Sequence, residues 1–175
     1  VVHSVLRHVS CPEQVFFHFI AVEFHPVTPQ VLTRLVQFIF PSLNFKVYIF
    51  NEDTIINLIF ASIRSALENP LNYAGNYLGD ILDPCVKWVI CLDSDLVLVD
   101  DIVKLWDVKM SDWKIIGAPE YCHANLTKYF TDNFLSDPLL SRVFGSRNLC
   151  YFNTGVMVMG LEKWREGHFQ KRIEN

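Results

Sequence analysis

The sequence predicts an α/β fold with a mixed, mostly parallel sheet and helices on both of its faces. Strand-like apolar runs alternate with segments of helical periodicity through most of the 175 residues, which is the pattern of such folds. Residues 15–22 are strongly apolar, and residues 86–92 are a largely apolar run of the kind expected of a strand buried on both faces. Hydrophobic residues make up 51% of the chain and charged residues 19%, so one domain can bury a core of its own.

Strands and helices are expected to alternate along the first half of the chain. Thr28 is a typical helix N-cap and Pro29 a typical first helical residue, so a helix is expected from there to Pro41, which ends it. Residues 53–67 and 73–82 also have the apolar spacing of helices. The strands expected in this half are residues 15–22 and 45–50.

The second half continues the alternation with shorter elements. Residues 120–148 are loop-rich, polar and aromatic, which favours an excursion facing a substrate. Residues 151–159 form an expected strand with a polar break near its start, and Leu161 begins the last helix. The other expected elements are strands at residues 86–92, 96–99 and 114–118 and a short helix at residues 102–106.

Two carboxylates, Asp93 and Asp95, follow the apolar run 86–92 directly, with Ser94 between them. Carboxylates beside a core are costly unless something positive meets them. Hard oxygen ligands suit magnesium or manganese, which often combine one or two protein carboxylates with substrate phosphate oxygens. Ligands of α/β sheets bind beyond the carboxyl ends of the strands, so the motif predicts a metal–diphosphate site.

Charge and composition exclude other classes of function. A net charge of −4 and a pI near 5.8 leave no basic surface for nucleic acid, and no apolar run is long enough to span a bilayer. The spacing of the five cysteines argues against a zinc site and against a small disulfide framework, and Cys91 is expected to be a buried free thiol. Asn125 begins an N-glycosylation sequon, which permits a secretory location.

Several segments taken together resemble glycosyltransferase family 8. The order of Asp-x-Asp and a later Asn-Thr-Gly-Val makes the resemblance specific, and it covers essentially the whole chain. The segments shared with the family are residues 73–78, 89–95, 151–159 and 164–165. Those that resemble its plant galacturonosyltransferase-like branch are residues 2–8, 40–45, 118–125 and 128–131.

The resemblance implies a GT-A type, Rossmann-like nucleotide-sugar transferase fold in a single partial domain over residues 1–175, truncated at both ends. It implies Mn²⁺ held by Asp93 and Asp95, and retaining transfer of a hexosyl or hexuronosyl unit, galacturonic acid in this branch, from a UDP-sugar to pectin or another cell-wall polysaccharide. The Golgi lumen is the implied location. It assigns donor binding to Asp93, Ser94, Asp95, Asn153, Thr154 and Gly155 and leaves the catalytic residue unassigned.

Departures from the family pattern favour an alternative. Gly75 stands where the family usually has Arg or Lys, and Trp88 where the branch has Arg. The family's first nucleotide-binding strand and its late metal-binding His are expected outside the sequence. The alternative is a truncated, catalytically inactive relative that acts as an interaction subunit of a glycosyltransferase complex. A haloacid-dehalogenase-like phosphatase also has Asp-x-Asp after a strand, but it requires Thr or Val after Asp95, where this chain has Leu96.

Histidines are not expected to hold a metal, because their spacing lacks a ligand pattern. His18 lies in an apolar strand and is expected to be a hydrogen-bonded core residue. His123 follows Glu120 and Tyr121 in the polar excursion, where it either faces an acceptor or is a solvated loop residue; the sequence leaves both open.

Overall fold

The computed structural model describes residues 1–22, 29–55, 69–125, 132, 136–139, 142 and 150–174. Strands and helices alternate along this part of the chain. The helices are α1 (Val2–His8), α2 (Pro29–Ile39), α3 (Leu78–Ile81), α4 (Val103–Trp106), α5 (Leu161–Glu166) and α6 (Phe169–Glu174). The strands are β1 (Phe16–Val22), β2 (Asn44–Phe50), β3 (Trp88–Leu92), β4 (Ile116–Gly117), β5 (Glu120–Asn125), β6 (Cys150–Phe152) and β7 (Val156–Gly160). Single 3₁₀ turns lie at Pro12–Gln14 and Glu52–Thr54, and a longer 3₁₀ segment at Pro70–Tyr77.

The expected mixed α/β arrangement is confirmed, but the expectation of a mostly parallel sheet is not met among the described strands, where β1–β2 is the one parallel pair and the other three pairs are antiparallel. β1 and β2 are parallel, with Phe16 opposite Asn44 and Val22 opposite Phe50. Helix α2 connects them and packs on β2, as a parallel pair requires of its crossover. The strands predicted at residues 15–22 and 45–50 therefore form within one residue of their expected bounds.

A three-stranded sheet in the order β3-β7-β4 positions the acidic motif. Both pairs in it are antiparallel, and the β3–β7 register runs from Trp88 opposite Gly160 to Leu92 opposite Val156. The carboxyl end of β3 therefore meets the amino end of β7 at one edge of the sheet. A separate antiparallel pair, β5 and β6, leads into β7.

The buried core lies around β2, β3, β7 and the helices beside them. Leu161 at the start of α5 is fully buried, and Met159 in β7 is 1% exposed. The largest buried cluster comprises Tyr48, Leu78, Leu82, Val89, Met159, Leu161 and Trp164. A second cluster comprises Phe50, Ile55, Ala74 and Tyr77. Among the described residues, no helix is long and apolar enough to cross a membrane.

Helix α5 is tied to the segment that precedes β3. The Arg165 guanidinium donates hydrogen bonds to five backbone carbonyls, those of Gly79, Leu82, Asp83, Pro84 and Val86, at 2.7–3.4 Å. The backbone N–H of Leu161 donates to the Lys87 carbonyl at 2.7 Å. These bonds connect the helix after β7 with the entrance of β3, and so support the pairing of the two strands.

His18 is hydrogen-bonded, as the sequence predicts. Its Nδ1 lies 3.2 Å from the Tyr48 hydroxyl, which donates to the Asp83 carboxylate, and Lys46 also donates to that carboxylate. Burial lowers the pKa of His18, and the charge of Asp83 opposes that effect. The Lys46 and Tyr48 hydrogen bonds hold the pKa of Asp83 below its ordinary value.

Three predicted elements differ from the structure. Residues 96–99 do not form a strand: Val97 and Val99 are 77% and 81% exposed, and the Leu98 N–H donates to the Ser4 hydroxyl rather than to a neighbouring strand. The helix expected at residues 73–82 is a 3₁₀ segment followed by the short α3, with Trp164 only 2.9 Å from where a Cβ at Gly79 would stand. The strand expected at residues 151–159 is divided into β6 and β7 by its polar break.

Other predicted elements are only partly described. Residue 28, the expected N-cap, and most of the helix expected at residues 53–67 lie outside the described residues. The same holds for most of the excursion at residues 120–148, but its first six residues are strand β5 rather than loop. The strand expected at residues 114–118 has only the two residues of β4.

Candidate functional site

The acidic motif lies in the turn that follows β3, at the edge where β7 begins. The Asp93 N–H donates to the Gly155 carbonyl at 2.9 Å, which continues the β3–β7 ladder by one bond. Asp93, Ser94 and Asp95 are all exposed. Antiparallel pairing thus brings together two motifs that are about sixty residues apart in the sequence.

The second motif is the turn between β6 and β7. The side-chain carbonyl oxygen of Asn153 accepts from the Gly155 N–H at 2.9 Å, and the Asn153 N–H donates to the Pro119 carbonyl at 2.9 Å. With its oxygen engaged, the Asn153 amide has two N–H groups to offer to a ligand. Thr154 is exposed in the same turn. The local bonds therefore orient Asn153 as a donor.

Gly155 is required by the close approach of both motifs. A Cβ at this position would lie 2.9 Å from the Asp93 Oδ2 atom and 3.1 Å from the Asn153 Oδ1 atom. Gly155 itself is buried, whereas Asp93, Asn153 and Thr154 around it are exposed. The absence of a side chain thus lets a carboxylate and an amide lie over the same stretch of backbone.

Substitution of Gly155 tests this packing. We expect Gly155→Ala to lower the free energy of unfolding by about 1–3 kcal/mol, because the added methyl group must displace Asp93 and Asn153. Gly75→Ala is the matched control, since among the described residues its Cβ would meet the Met157 methyl group alone, at an ordinary 3.6 Å. Urea denaturation of the two variants measures the difference, and equal stabilities would contradict the proposed crowding at Gly155.

The donor set of the acidic motif suits a hard divalent cation. Asp93 and Asp95 supply exposed carboxylate oxygens, and the ion pairs found in the described part of the chain, those of Asp83, Asp100 and Glu162, leave both without a cationic partner there. Such oxygens fit manganese or magnesium. Within the described ranges, no third His, Cys or carboxylate joins them in a metal-binding group.

The sequence and structure can now be compared with those of known proteins. The sequence model of the family described as Glycosyl transferase family 8 matches residues 1–175. The chain belongs to glycosyltransferase family 8. Two Arabidopsis thaliana proteins of similar sequence, Probable galacturonosyltransferase-like 9 and Probable galacturonosyltransferase-like 8, are 68% and 65% identical over 173 residues. Each match covers 99% of this chain and 44% of the relative, so the chain spans less than half the length of these proteins.

Solved glycosyltransferases share the fold of this family 8 chain. The galactosyltransferase LgtC in complex with donor and acceptor sugar analogues aligns with a TM-score of 0.68 at 19% identity, covering 94% of this chain and 53% of LgtC. Mouse xyloside xylosyltransferase 1 in its apo form aligns with a TM-score of 0.65 at 19% identity, covering 100% of this chain and 64% of that protein. Both are GT-A glycosyltransferases, so the predicted GT-A type fold is confirmed.

The departures from the family pattern lie at different distances from the site. A Cβ at Gly75 would be 3.6 Å from the Met157 methyl group, and Met157 is two residues along β7 from Gly155, on the same face. Position 75 therefore lies against β7, the strand that follows the site. Trp88 is at the opposite end of β3 from Asp93, where its ring packs against Gly160. The substitution at 88 is remote from the acidic motif.

Cys91 lies within β3, opposite Met157, and is a free thiol as predicted. Its burial raises the pKa of the thiol to about 12, so it remains protonated at neutral pH. A half-buried thiol that stays protonated is a packing residue and an unreactive one. Position 91 therefore supports the sheet and supplies no ligand to the site.

Two features next to the site were missed by sequence reasoning. The first is the Pro119 carbonyl, which accepts from Asn153 and cannot be identified from residue type. The second is a disulfide between Cys122 and Cys150. Their separation of 28 residues matches no common motif, although both cysteines flank the polar excursion. His123 is exposed and makes an edge contact with the Tyr121 ring, which leaves its relation to an acceptor open.

Proposed function

We propose that the full-length protein is a metal-dependent, retaining glycosyltransferase that transfers a hexuronosyl unit, galacturonic acid, from a UDP-sugar. Pectin or another cell-wall polysaccharide is the proposed acceptor. The observation that carries the proposal is the meeting of the Asp93 carboxylate and the oriented Asn153 amide over Gly155. The names of the curated Arabidopsis relatives support the sugar.

Charge provides the chemical rationale. A departing UDP develops negative charge on its diphosphate oxygens, and catalysis requires that charge to be stabilised. Asp93 and Asp95 would hold Mn²⁺, which supplies positive charge to the diphosphate when bound. Asn153 would donate from its amide to a hydroxyl or diphosphate oxygen of the donor, while its own oxygen stays bonded to the Gly155 N–H. Ser94 and Thr154, exposed in the two turns, would line the same donor site.

The proposed location is the Golgi lumen. A disulfide between Cys122 and Cys150 supports an oxidising compartment, because such bonds rarely persist in the cytosol. The sequon that begins at Asn125 agrees with passage through the secretory pathway. A polysaccharide acceptor made for export would be met in the same compartment.

Thermal unfolding of the full-length protein with and without UDP and Mn²⁺ tests the donor site. At UDP concentrations about a hundredfold above Kd, binding contributes about 2.7 kcal/mol. We expect this to raise the Tm of the full-length protein by about 3 °C with Mn²⁺ present, and to have little effect after chelation by EDTA. A chromatographic assay for UDP released from UDP-galacturonic acid, in the presence of pectin oligosaccharides, then tests transfer.

The proposal would be contradicted if UDP left Tm unchanged at every Mn²⁺ concentration. ADP is the matched control ligand, because it carries the same diphosphate on another base. Equal shifts with UDP and ADP would indicate a general diphosphate site rather than a UDP-sugar site. Equal Tm shifts with Mn²⁺ and Mg²⁺ would support a divalent-cation site that does not prefer manganese.

A second candidate is an inactive family member that serves as an interaction subunit of a glycosyltransferase complex. Gly75 favours it, because the resemblance to the family implies Arg or Lys at this position. The Gly75→Arg variant separates the two candidates in the same release assay. A large gain in UDP release from an otherwise inactive wild type supports the inactive relative, and an active wild type excludes it.

A further inference from the structure

In the described part of the chain, the two strands that lead into the turn at Asn153 pair only with each other. β5 and β6 are joined by Glu120 opposite Phe152 and Tyr121 opposite Tyr151, and beyond an irregularity by Asn125 opposite Cys150. Tyr121 and Phe152 are 51% and 48% exposed, and neither strand contributes to the two buried clusters. An isolated two-stranded pair of this kind is at best marginally stable in water.

The length of the connection between the two strands makes the free energy of their pairing less favourable. Residues 126–149 separate β5 from β6, whereas a stable hairpin commonly has a connection of two to five residues. Bringing the ends of so long a connection together carries a larger entropy cost than closing a tight turn. A cross-link at the base of the connection would remove most of that cost.

Such a cross-link is present. We propose that the Cys122–Cys150 disulfide is a covalent clasp that holds the β5–β6 pair and thereby positions Asn153 for the donor. The bond joins one cysteine of each strand, at the base of the long connection. The positioning role rests on the proposed function, whereas the clasp itself does not.

A continuous set of contacts leads from the clasp to the acidic motif. Cys150 and Phe152 are in one three-residue strand, and Asn153 follows it directly. The Asn153 N–H donates to the Pro119 carbonyl on the approach to β5, and its side chain accepts from Gly155. The Gly155 carbonyl in turn accepts from the Asp93 N–H. A loosened β5–β6 pair would therefore release Asn153 and, through Gly155, the support of Asp93.

Formation of the clasp is an ordinary thiol–disulfide exchange. The two thiols lose two protons and two electrons as the S–S bond forms, and a protein or glutathione disulfide accepts them and leaves as two thiols. Of the cysteines in the described ranges, Cys11, Cys85 and Cys91 are free, and none of them lies in β5 or β6. Glu120 lies close enough for its carboxylate and the two sulfurs to form a cation site if the cysteines were reduced. A disulfide and such a metal site exclude each other.

Peptide mapping of the full-length protein, made in a secretory host and alkylated without reduction, tests the bond. After enzymatic deglycosylation, trypsin is expected to release residues 115–128 linked to residues 148–163, and reduction is expected to separate them. Recovery of both cysteines alkylated, or of bound zinc that is lost on chelation, would overturn the clasp. Cys85→Ser is the matched control, because Cys85 is an exposed free cysteine outside both strands.

Hydrogen exchange of the same protein tests the positioning without any ligand. In the Cys122→Ser, Cys150→Ser double variant, the amides of Asn153 and Gly155 are expected to exchange about tenfold faster, while those of β3 and β7 keep their rates. Unchanged exchange at Asn153 and Gly155 would overturn the positioning role. Circular dichroism at the same temperature shows that the variant is folded, and reoxidation of a reduced wild type restores slow exchange.

UDP affinity completes the test through a double-mutant cycle. We expect loss of the disulfide to weaken Mn²⁺-dependent UDP binding about tenfold, the range found when supports of ligand-binding residues are removed. In an Asn153→Ala background, loss of the disulfide is expected to add little, because the clasp acts through that side chain. Full additivity would overturn action through Asn153. Faster exchange in the variant combined with no UDP binding by the wild type would retain the clasp and reject the proposed function.

Discussion

Replacement of Asp93 and Asp95 by Asn in the full-length protein is expected to lower kcat/KM for sugar transfer by about 10²–10³. The amide has the size of the carboxylate but lacks its charge, so the variant keeps the turn and loses the attraction for the cation. Stability is expected to change by less than about 0.5 kcal/mol, because both side chains are exposed and neither forms an ion pair in the described part of the chain. UDP release at saturating Mn²⁺ is the measurement.

Asp112→Asn is the control for charge alone. Asp112 is exposed and lies outside the site, so its replacement removes one negative charge without touching the motif. Its activity is expected to equal that of the wild type. If the double variant retained wild-type activity, the Asp-x-Asp motif would be a solvated turn, and the metal–diphosphate interpretation would be wrong.

Arg165→Met is expected to lower the free energy of unfolding by about 3 kcal/mol or more. The five carbonyls that the guanidinium bonds would lose their donor, and hydrogen bonds to a charged group are worth more than neutral ones. Met retains an apolar chain of similar length, so the loss reports the hydrogen bonds rather than packing. Urea denaturation followed by tryptophan fluorescence measures it, since Trp164 lies beside Arg165 in the core.

Two further variants define the origin of that loss. Arg165→Lys keeps the charge but reaches fewer carbonyls than a planar guanidinium, so we expect it to recover only part of the stability. Arg7→Met, at an exposed position of α1, controls for removal of an arginine. Full recovery by Lys would mean that charge, rather than the fork of hydrogen bonds, connects α5 with the entrance of β3.

Local periodicity was sufficient to predict the position and type of three of the elements. The apolar runs at residues 15–22 and 86–92 are β1 and β3, and the stripe after Pro29 is α2. It failed at residues 96–99, where Val97 and Val99 look like strand residues but have no neighbouring strand among the described residues. A strand requires a hydrogen-bonding partner, and a short sequence cannot show whether one is available.

For the candidate site, too, some features could be predicted from the sequence and others could not. Asp93 and Asp95 could be identified from their place directly after an apolar strand, because carboxylates there can hold a divalent cation, and Asn153 could be identified from its place in the motif shared with glycosyltransferase family 8. Their proximity could not, since it depends on the antiparallel register that places Leu92 opposite Val156. The need for Gly155 also appears only when the Asp93 carboxylate is found 2.9 Å from its absent Cβ.

The alternation of elements, the family, and the residues able to hold a cation follow from the order of amino acids alone. Each of these depends on local chemistry: periodicity, side-chain charge and the conformational preferences of single residues. The folded chain was needed to show which turns face each other, that Arg165 joins α5 to the start of β3, and that Cys122 and Cys150 are joined. Those outcomes depend on contacts between distant segments, and pairing, packing and disulfide formation are fixed only when the chain has brought them together.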